Sequence, residues 1–277
     1  MEVSFPLFGR LPQNVHWLFR LDWTAMSHIL VTNDDGINAP GLRALADAMR
    51  KLGRTTVVAP LNEKSAASQS LTLRQPVYWE TIVEGEHAVE GTPADAMIVA
   101  FTTMLKGADK PDLVVSGINR GGNLGENVHY SGTVGAAKEA AVHATPGIAF
   151  SVVFRKLAID YSPAAEFAKR LVPLALKEGL PSGVVLNVNI PQEWNGGPVR
   201  ITRQSPKVTR TLLQPGVDPR GRHYYWISEE KVSADVAPGT DHAAILEGAV
   251  SITPLQLDHT HTESLNHIAG WAKLLEG

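Results

Sequence analysis

Apolar runs separated by helix-period segments organise this chain. Ile29–Thr32 reads as a strand and Pro40–Leu52 as a helix, with Leu42, Leu45, Ala46 and Met49 spaced to form one buried face. Thr55–Ala59 is a second strand. Pro93–Leu105 is apolar enough for a largely buried helix, opened by Thr92 as cap and Pro93 in its first turn. Asp112–Val115 is a third strand, followed by a loop rich in Gly and Asn to residue 130 and a helix over Thr133–His143. Gly147–Val153, Pro163–Glu178 and Gly183–Ile190 continue as strand, helix and strand. Continuous Val/Ile runs alternating with helices predict a parallel sheet covered on both faces, a doubly wound, Rossmann-like α/β fold.

From about residue 196 the texture changes. VRITRQ, PGVDPRG and HYYWIS alternate and are punctuated by turns, so 196–235 is expected to form an appended β-hairpin arm. A last strand at Val250–Pro254 and a helix near Leu265–Leu275 close the chain. Residues 26–277 are thus expected to be a single α/β domain. Residues 1–25 lack the unbroken apolar stretch of a signal peptide, being interrupted by Arg10, Pro12, Gln13, Asn14 and Arg20. They read as a leader outside the core, which is expected to begin at Met26; a packing arm is the alternative.

The first strand ends in HILVTNDDGINAPG, the most informative stretch of the chain. Neighbouring strand residues point to opposite faces, so adjacent Asp34 and Asp35 can converge only past the strand end, where Gly36 lets the backbone turn. Two uncompensated carboxylates repel each other, and a bound cation is the usual remedy. An Asp pair before a glycine is also a common turn and cap, so the other strand ends matter. Open parallel sheets bind ligands outside the carboxyl ends of their strands. The second strand delivers a loop with Ser65, Ser68 and Ser70; the third delivers Ser116, Asn119, Asn123, Ser131 and Thr133. Carboxylate, hydroxyl and amide oxygens suit magnesium, manganese or calcium. Ser131-Gly132-Thr133 starts a helix, which is either a plain N-cap or an anion site of free amides. A dication beside an anion cradle is what phosphate-ester hydrolysis requires.

Composition narrows the classes. A net charge of −3 from 25 basic and 28 acidic residues gives no global field for nucleic acid or membrane. The absence of cysteine excludes disulfides, thiolate zinc sites and a cysteine nucleophile, and suits a cytoplasmic setting. There is no G-x-x-x-x-G-K-[ST] loop and no G-x-S-x-G elbow, which argues against a P-loop ATPase and a serine hydrolase. His259, His261 and His267 read as a polar tail. Arg200, Arg203, Lys207 and Arg210 read as solvated or oligomer-contacting arm, and Tyr224-Tyr225-Trp226 as an interface or a base-stacking wall.

HILVTNDDGINAPG, Lys64-Ser65, GTPADA, VSGINRGGNLG, YSGTVGAA and GTDHAAILEGAVSITPL together resemble the SurE family of survival-protein nucleotidases over roughly residues 28–255. The resemblance implies a metal-dependent phosphatase of nucleoside monophosphates acting through a metal-activated water, in a family some of whose members also act on 3′-nucleotides and short polyphosphate. It implies one divalent cation per subunit, manganese or magnesium foremost, held by Asp34, Asp35, Ser65 and Asn119. Asn123, Ser131, Gly132 and Thr133 would line the phosphate pocket, with Asp34, Asp35, Asn123 and Ser131 as the catalytic set. A homodimer or homotetramer is implied, built on the β arm and the C-terminal element. One departure stands out: the family usually has an acid where this chain has Leu61. The general acid for the leaving group is not identified; His129 is near in sequence. Adjacent acids argue against the aspartyl-phosphate route of D-x-D enzymes. A phospho-acceptor domain would need an Asp after the third strand, where Ser116 to Asn119 offers none. A non-catalytic metal or nucleotide sensor is the remaining alternative.

Overall fold

The structure is a computed structural model and describes residues 27–154, 158–206, 209–231 and 236–275. The expected leader lies outside the described residues, as does Lys207. Strand β1 (His28–Thr32) is buried along its whole length and leads into helix α1 (Pro40–Met49), which turns Leu42, Leu45, Ala46 and Met49 inward as their spacing requires. Strand β2 (Arg54–Pro60) follows, then β3 (Trp79–Val83) and β4 (Glu86–Val89), a hairpin that the periodicity does not announce. All five residues of β3 are exposed, so they carry no apolar alternation to read. Helix α2 (Pro93–Val99) opens with Thr92 and Asp95 capping each other's backbone N–H groups. The single helix expected to Leu105 changes at Ala100 into one π-helical turn that ends at Met104.

Strand β5 (Leu113–Arg120) runs five residues beyond Val115, so Asn119 sits at a strand end and not within a loop. Ser116, Gly117, Asn119 and Arg120 leave only Ile118 apolar there, which hid this extension. Helix α3 (Gly132–Val142), strand β6 (Gly147–Val153), helix α4 (Ser162–Glu178) and strand β7 (Val184–Pro191) match the expected alternation. The arm begins later than residue 196: β8 (Val199–Ile201) belongs to the main sheet. The separate hairpin is formed by β9 (Thr209–Val217) and β10 (His223–Lys231). Helix α5 (Asp241–Leu246), strand β11 (Val250–Gln256) and helix α6 (Thr262–Leu275) complete the chain.

The main sheet has the order β3-β4-β2-β1-β5-β6-β7-β11-β8. Its central pairings are parallel; β3 with β4 and β7 with β11 are antiparallel. Side chains on one face pack Ile29, Val31, Val57, Val115 and Phe150 against α1 and α4. The other face packs Leu30, Val58 and Val114 against α2 and α3. The chain leaves β1 toward β2 on one side and returns to β5 on the other. β1 and β5 therefore flank a topological switch point, where diverging loops leave a crevice.

The first turn of α1 lies hard against β5. A Cβ on Gly41 would stand 2.0 Å from the Ile118 carbonyl oxygen, a backbone atom that cannot step aside alone. Gly41→Ala is therefore expected to lower unfolding free energy by about 1–3 kcal/mol, the usual cost of overpacking. The urea midpoint should fall with little change in slope; an unchanged midpoint would show that helix and strand can separate freely.

Candidate functional site

Asn33, Asp34 and Asp35 follow β1 directly, and Gly36 turns the chain at φ +100°, a conformation open to glycine. The Asn33 amide donates to the Gly36 carbonyl at 3.0 Å and stiffens that turn. The Lys64 N–H donates to the Asp34 carbonyl at 2.7 Å, stitching the loop after β2 to the loop after β1 and placing Ser65 beside the acids. The Ser68 N–H donates to the Tyr130 carbonyl at 2.9 Å and its hydroxyl to the His129 carbonyl at 2.7 Å, which ties in the loop after β5. Three strand-end loops are thus fixed to one another by backbone bonds.

They enclose an open cavity of about 220 Å³. Asp34, Asp35, Ser65, Asn119, Asn123 and Ser131, all expected at the site, line it, together with Glu63, Arg120, Asn127 and Tyr130. Those last four were missed. Arg120 and Asn127 carried no signal beyond lying in the same loop, and Glu63 none beyond preceding Ser65 by two residues. Ser68 acts as a stitch, and Ser116 is fully buried beneath the site. Among the described residues, no three His, Asp or Glu side chains converge, so a cation here would rest on two carboxylates and neutral oxygens.

Gly132 and Thr133 stand differently from expectation. Neither lines the cavity; Thr133 is fully buried and its hydroxyl donates to Asp34 Oδ1. The backbone N–H groups of Gly132 and Thr133 also favour the Asp34 carboxylate. The start of α3 thus meets a side-chain anion, the negative group nearest its positive dipole end. A Cβ on Gly132 would lie 2.8 Å from Asp34 Cβ, so glycine is what lets helix and acid meet. Ser131 caps α3 by accepting from the Val134 N–H at 3.1 Å and keeps its place in the cavity wall.

Burial raises the Asp34 carboxyl above its ordinary range, against the opposing Thr133, Gly132 and backbone hydrogen bonds. Asp35 is pushed up to about 6, first by burial and then by the charge of Asp34, although the Arg120 N–H donates to its Oδ2 at 3.3 Å. Two desolvated acids side by side in a polar cavity repel each other, an arrangement that a bound cation would stabilise. The neutral oxygens are presented suitably. The Asn119 amide nitrogen donates to the Gly121 carbonyl at 2.7 Å, which leaves Oδ1 as its ligating atom. The Ser65 hydroxyl spends its proton on Glu63 at 2.7 Å and keeps its lone pairs.

Known proteins resemble this chain over most of its length. The family model for survival protein SurE matches residues 29–211. A relative named 5′-nucleotidase SurE, from Geobacter sulfurreducens, is 47% identical over 248 residues, covering 88% of this chain and 93% of its own length. Another of the same name, from Moorella thermoacetica, is 43% identical over 256 residues and covers 89% and 96%. The crystal structure of the SurE protein from Aquifex aeolicus superposes with a TM-score of 0.79 at 38% identity, covering 90% of this chain and all of that one.

The raised Asp35 carboxyl has a pH signature. Its folded pKa of about 6 exceeds the unfolded 3.8, so between those values the folded state binds more protons and loses stability as pH rises. Cation-free Asp35→Asn protein is therefore expected to melt higher than cation-free wild type above pH 6, with the gap closing toward pH 4. Added manganese should reverse the order at pH 7.5. Melting curves with and without chelator test this; a wild type that is the more stable at pH 7.5 without cation would contradict it.

Proposed function

This chain belongs to the SurE family of survival proteins, and from that premise we infer that the cavity at Asp34 and Asp35 is its phosphatase centre. The protein is a metal-dependent 5′-nucleotidase, a hydrolase of nucleoside monophosphates. One observation carries the placement of the centre: two adjacent desolvated carboxylates at the switch point face a cavity walled by amide and hydroxyl oxygens.

Asp34 and Asp35 would hold one divalent cation per subunit, with Ser65 Oγ and Asn119 Oδ1 completing the protein's share. These hard oxygen donors support magnesium or manganese. When bound, such a cation polarises a phosphoryl oxygen and lowers the pKa of water at the site. The chain's own residues do the rest. Thr133 and the first amides of α3 fix Asp34 in one orientation and favour its charged form against the effect of burial. That anchoring also makes it a poor nucleophile, because an attacking carboxylate must give up its hydrogen bonds. Asn123 and Ser131, on the cavity wall, would bind the phosphoryl oxygens, and the Arg120 guanidinium would balance charge at the rim. Gly132 and Thr133 serve this pocket indirectly, through Asp34.

All these groups address the phosphoryl unit, so the reading extends to 3′-nucleotides and short polyphosphate. Exposed Leu213, Trp226 and Ile227 on the β9–β10 hairpin, with Trp271 and Leu274 on α6, support a homodimer or homotetramer built through those elements. No helix among the described residues is long and apolar enough to cross a membrane. The cysteine-free composition supports a cytoplasmic location.

Phosphate release from 5′- and 3′-nucleoside monophosphates and tripolyphosphate is expected to vanish with chelator and to return with manganese or magnesium. Asp34→Asn should cost at least about a thousandfold in kcat/KM, several kcal/mol of lost charge stabilisation. Turnover of the folded variant within tenfold of wild type would refute the site.

A further inference from the structure

Strand β7 lies between β6 and β11 in a sheet covered on both faces, where an unbroken apolar run is the default. It instead carries Asn187 and Asn189, both fully buried. Their amides turn toward a single residue. The Asn189 side chain accepts from the Asn123 N–H at 2.8 Å and donates to the Asn123 carbonyl at 3.1 Å, standing in for a neighbouring strand's peptide group. Asn187 donates to the same carbonyl at 2.8 Å. Ser151, also fully buried and paired with Asn189 across β6 and β7, accepts from Asn123 Nδ2 at 2.8 Å. Both backbone groups and the side chain of one loop residue are thus held by three buried polar groups. Asn187 Oδ1 has no partner, so the strand leaves a buried acceptor unpaired while keeping the amide that reaches Asn123.

We propose that Asn189, Asn187 and Ser151 are positioning residues for the phosphatase reaction, holding Asn123 where its amide meets the phosphoryl group. The inference rests on the reading of Asn123 as a phosphate-binding residue. Nδ2 has two protons: Ser151 takes one, and the other is the donor available to a phosphoryl oxygen. Gly121 still bonds β6 through its N–H to the Val152 carbonyl at 3.1 Å, but the backbone N–H and carbonyl of Asn123 are met by the side chains of β7, so the clamp takes over where the ladder ends. A clamped donor costs little reorganisation during transfer.

Steady-state kinetics on a 5′-nucleoside monophosphate with saturating manganese test this, alongside inhibition by inorganic phosphate and thermal melting. Assays run well below every variant's melting midpoint. Asn189→Leu and Ser151→Ala should each lower kcat/KM by about 10- to 100-fold, the range for residues that orient a site group. Inhibition by phosphate should weaken alongside. Asn189→Asp, which keeps the acceptor for the Asn123 N–H, should bind phosphate more weakly than wild type because a buried negative charge opposes it. Ser151→Ala combined with Asn123→Ala should be no slower than Asn123→Ala alone. Wild-type kinetics in Ser151→Ala and Asn189→Leu, beside an impaired Asn123→Ala, would overturn the inference and leave the site standing. Wild-type kinetics in Asn123→Ala would overturn the phosphate reading and the inference with it.

Discussion

The bond between Asp34 and the start of α3 is the contact on which the rest of this site depends. Shielding from water raises the Asp34 pKa and invites protonation, whereas the cation-holding role proposed for it needs the charged form. Thr133 and the first amides of the helix oppose that shift through hydrogen bonds that favour the charged form and need no solvent. The bond also joins β1 to the helix entered from the β5 loop, fixing the two sides of the switch point to each other. Asp35, with less hydrogen bonding, is raised by burial and then by the Asp34 charge beside it, a mutual repulsion that a cation would relieve.

Much of this architecture was legible because burial on both faces leaves a simple trace. β1, β2, β6 and β7 are Val/Ile runs, and α1 shows its inward face at every turn. Elements outside that regime left none. β3 is exposed at every position and pairs at the sheet edge, so it has neither a continuous apolar run nor alternation. The end of β5 carries Ser116, Asn119 and Arg120 around the single apolar side chain of Ile118, which breaks the hydrophobic signature of a strand where it reaches the cavity. β8 is three exposed residues whose assignment depends on β11, about fifty positions later in the chain.

The site divides in the same way. Asp34, Asp35, Ser65, Asn119, Asn123 and Ser131 were readable because each follows a strand and bears a side chain suited to a cation or a phosphate. Ser131-Gly132-Thr133 was ambiguous for a physical reason. A helix start that binds phosphate and one that binds a protein carboxylate use the same residue types. Only the placement of Asp34 against Gly132 separates the two. The buried asparagines of β7 were invisible as site elements, because their partner Asn123 lies more than sixty residues earlier and the strand pattern absorbed them.

A general logic connects these features. The catalytic crevice needs acids, amides and hydroxyls, but the sheet beneath it is built by excluding such groups from water. Here the conflict is met by layers. Apolar side chains fill the body of β1 and β5, and the polar residues of the crevice follow at their carboxyl ends. Groups that must be buried at that boundary, Asp34 and Asn123, are each assigned several hydrogen-bond partners from other elements. Those partners are also buried, so their bonds are shielded from competing water and hold one geometry. On the proposed reading, the groups that would orient a phosphoryl oxygen are held by buried bonds while the cavity stays open to substrate. The placement of Asn123 therefore depends on the strands as much as on the loop that displays it.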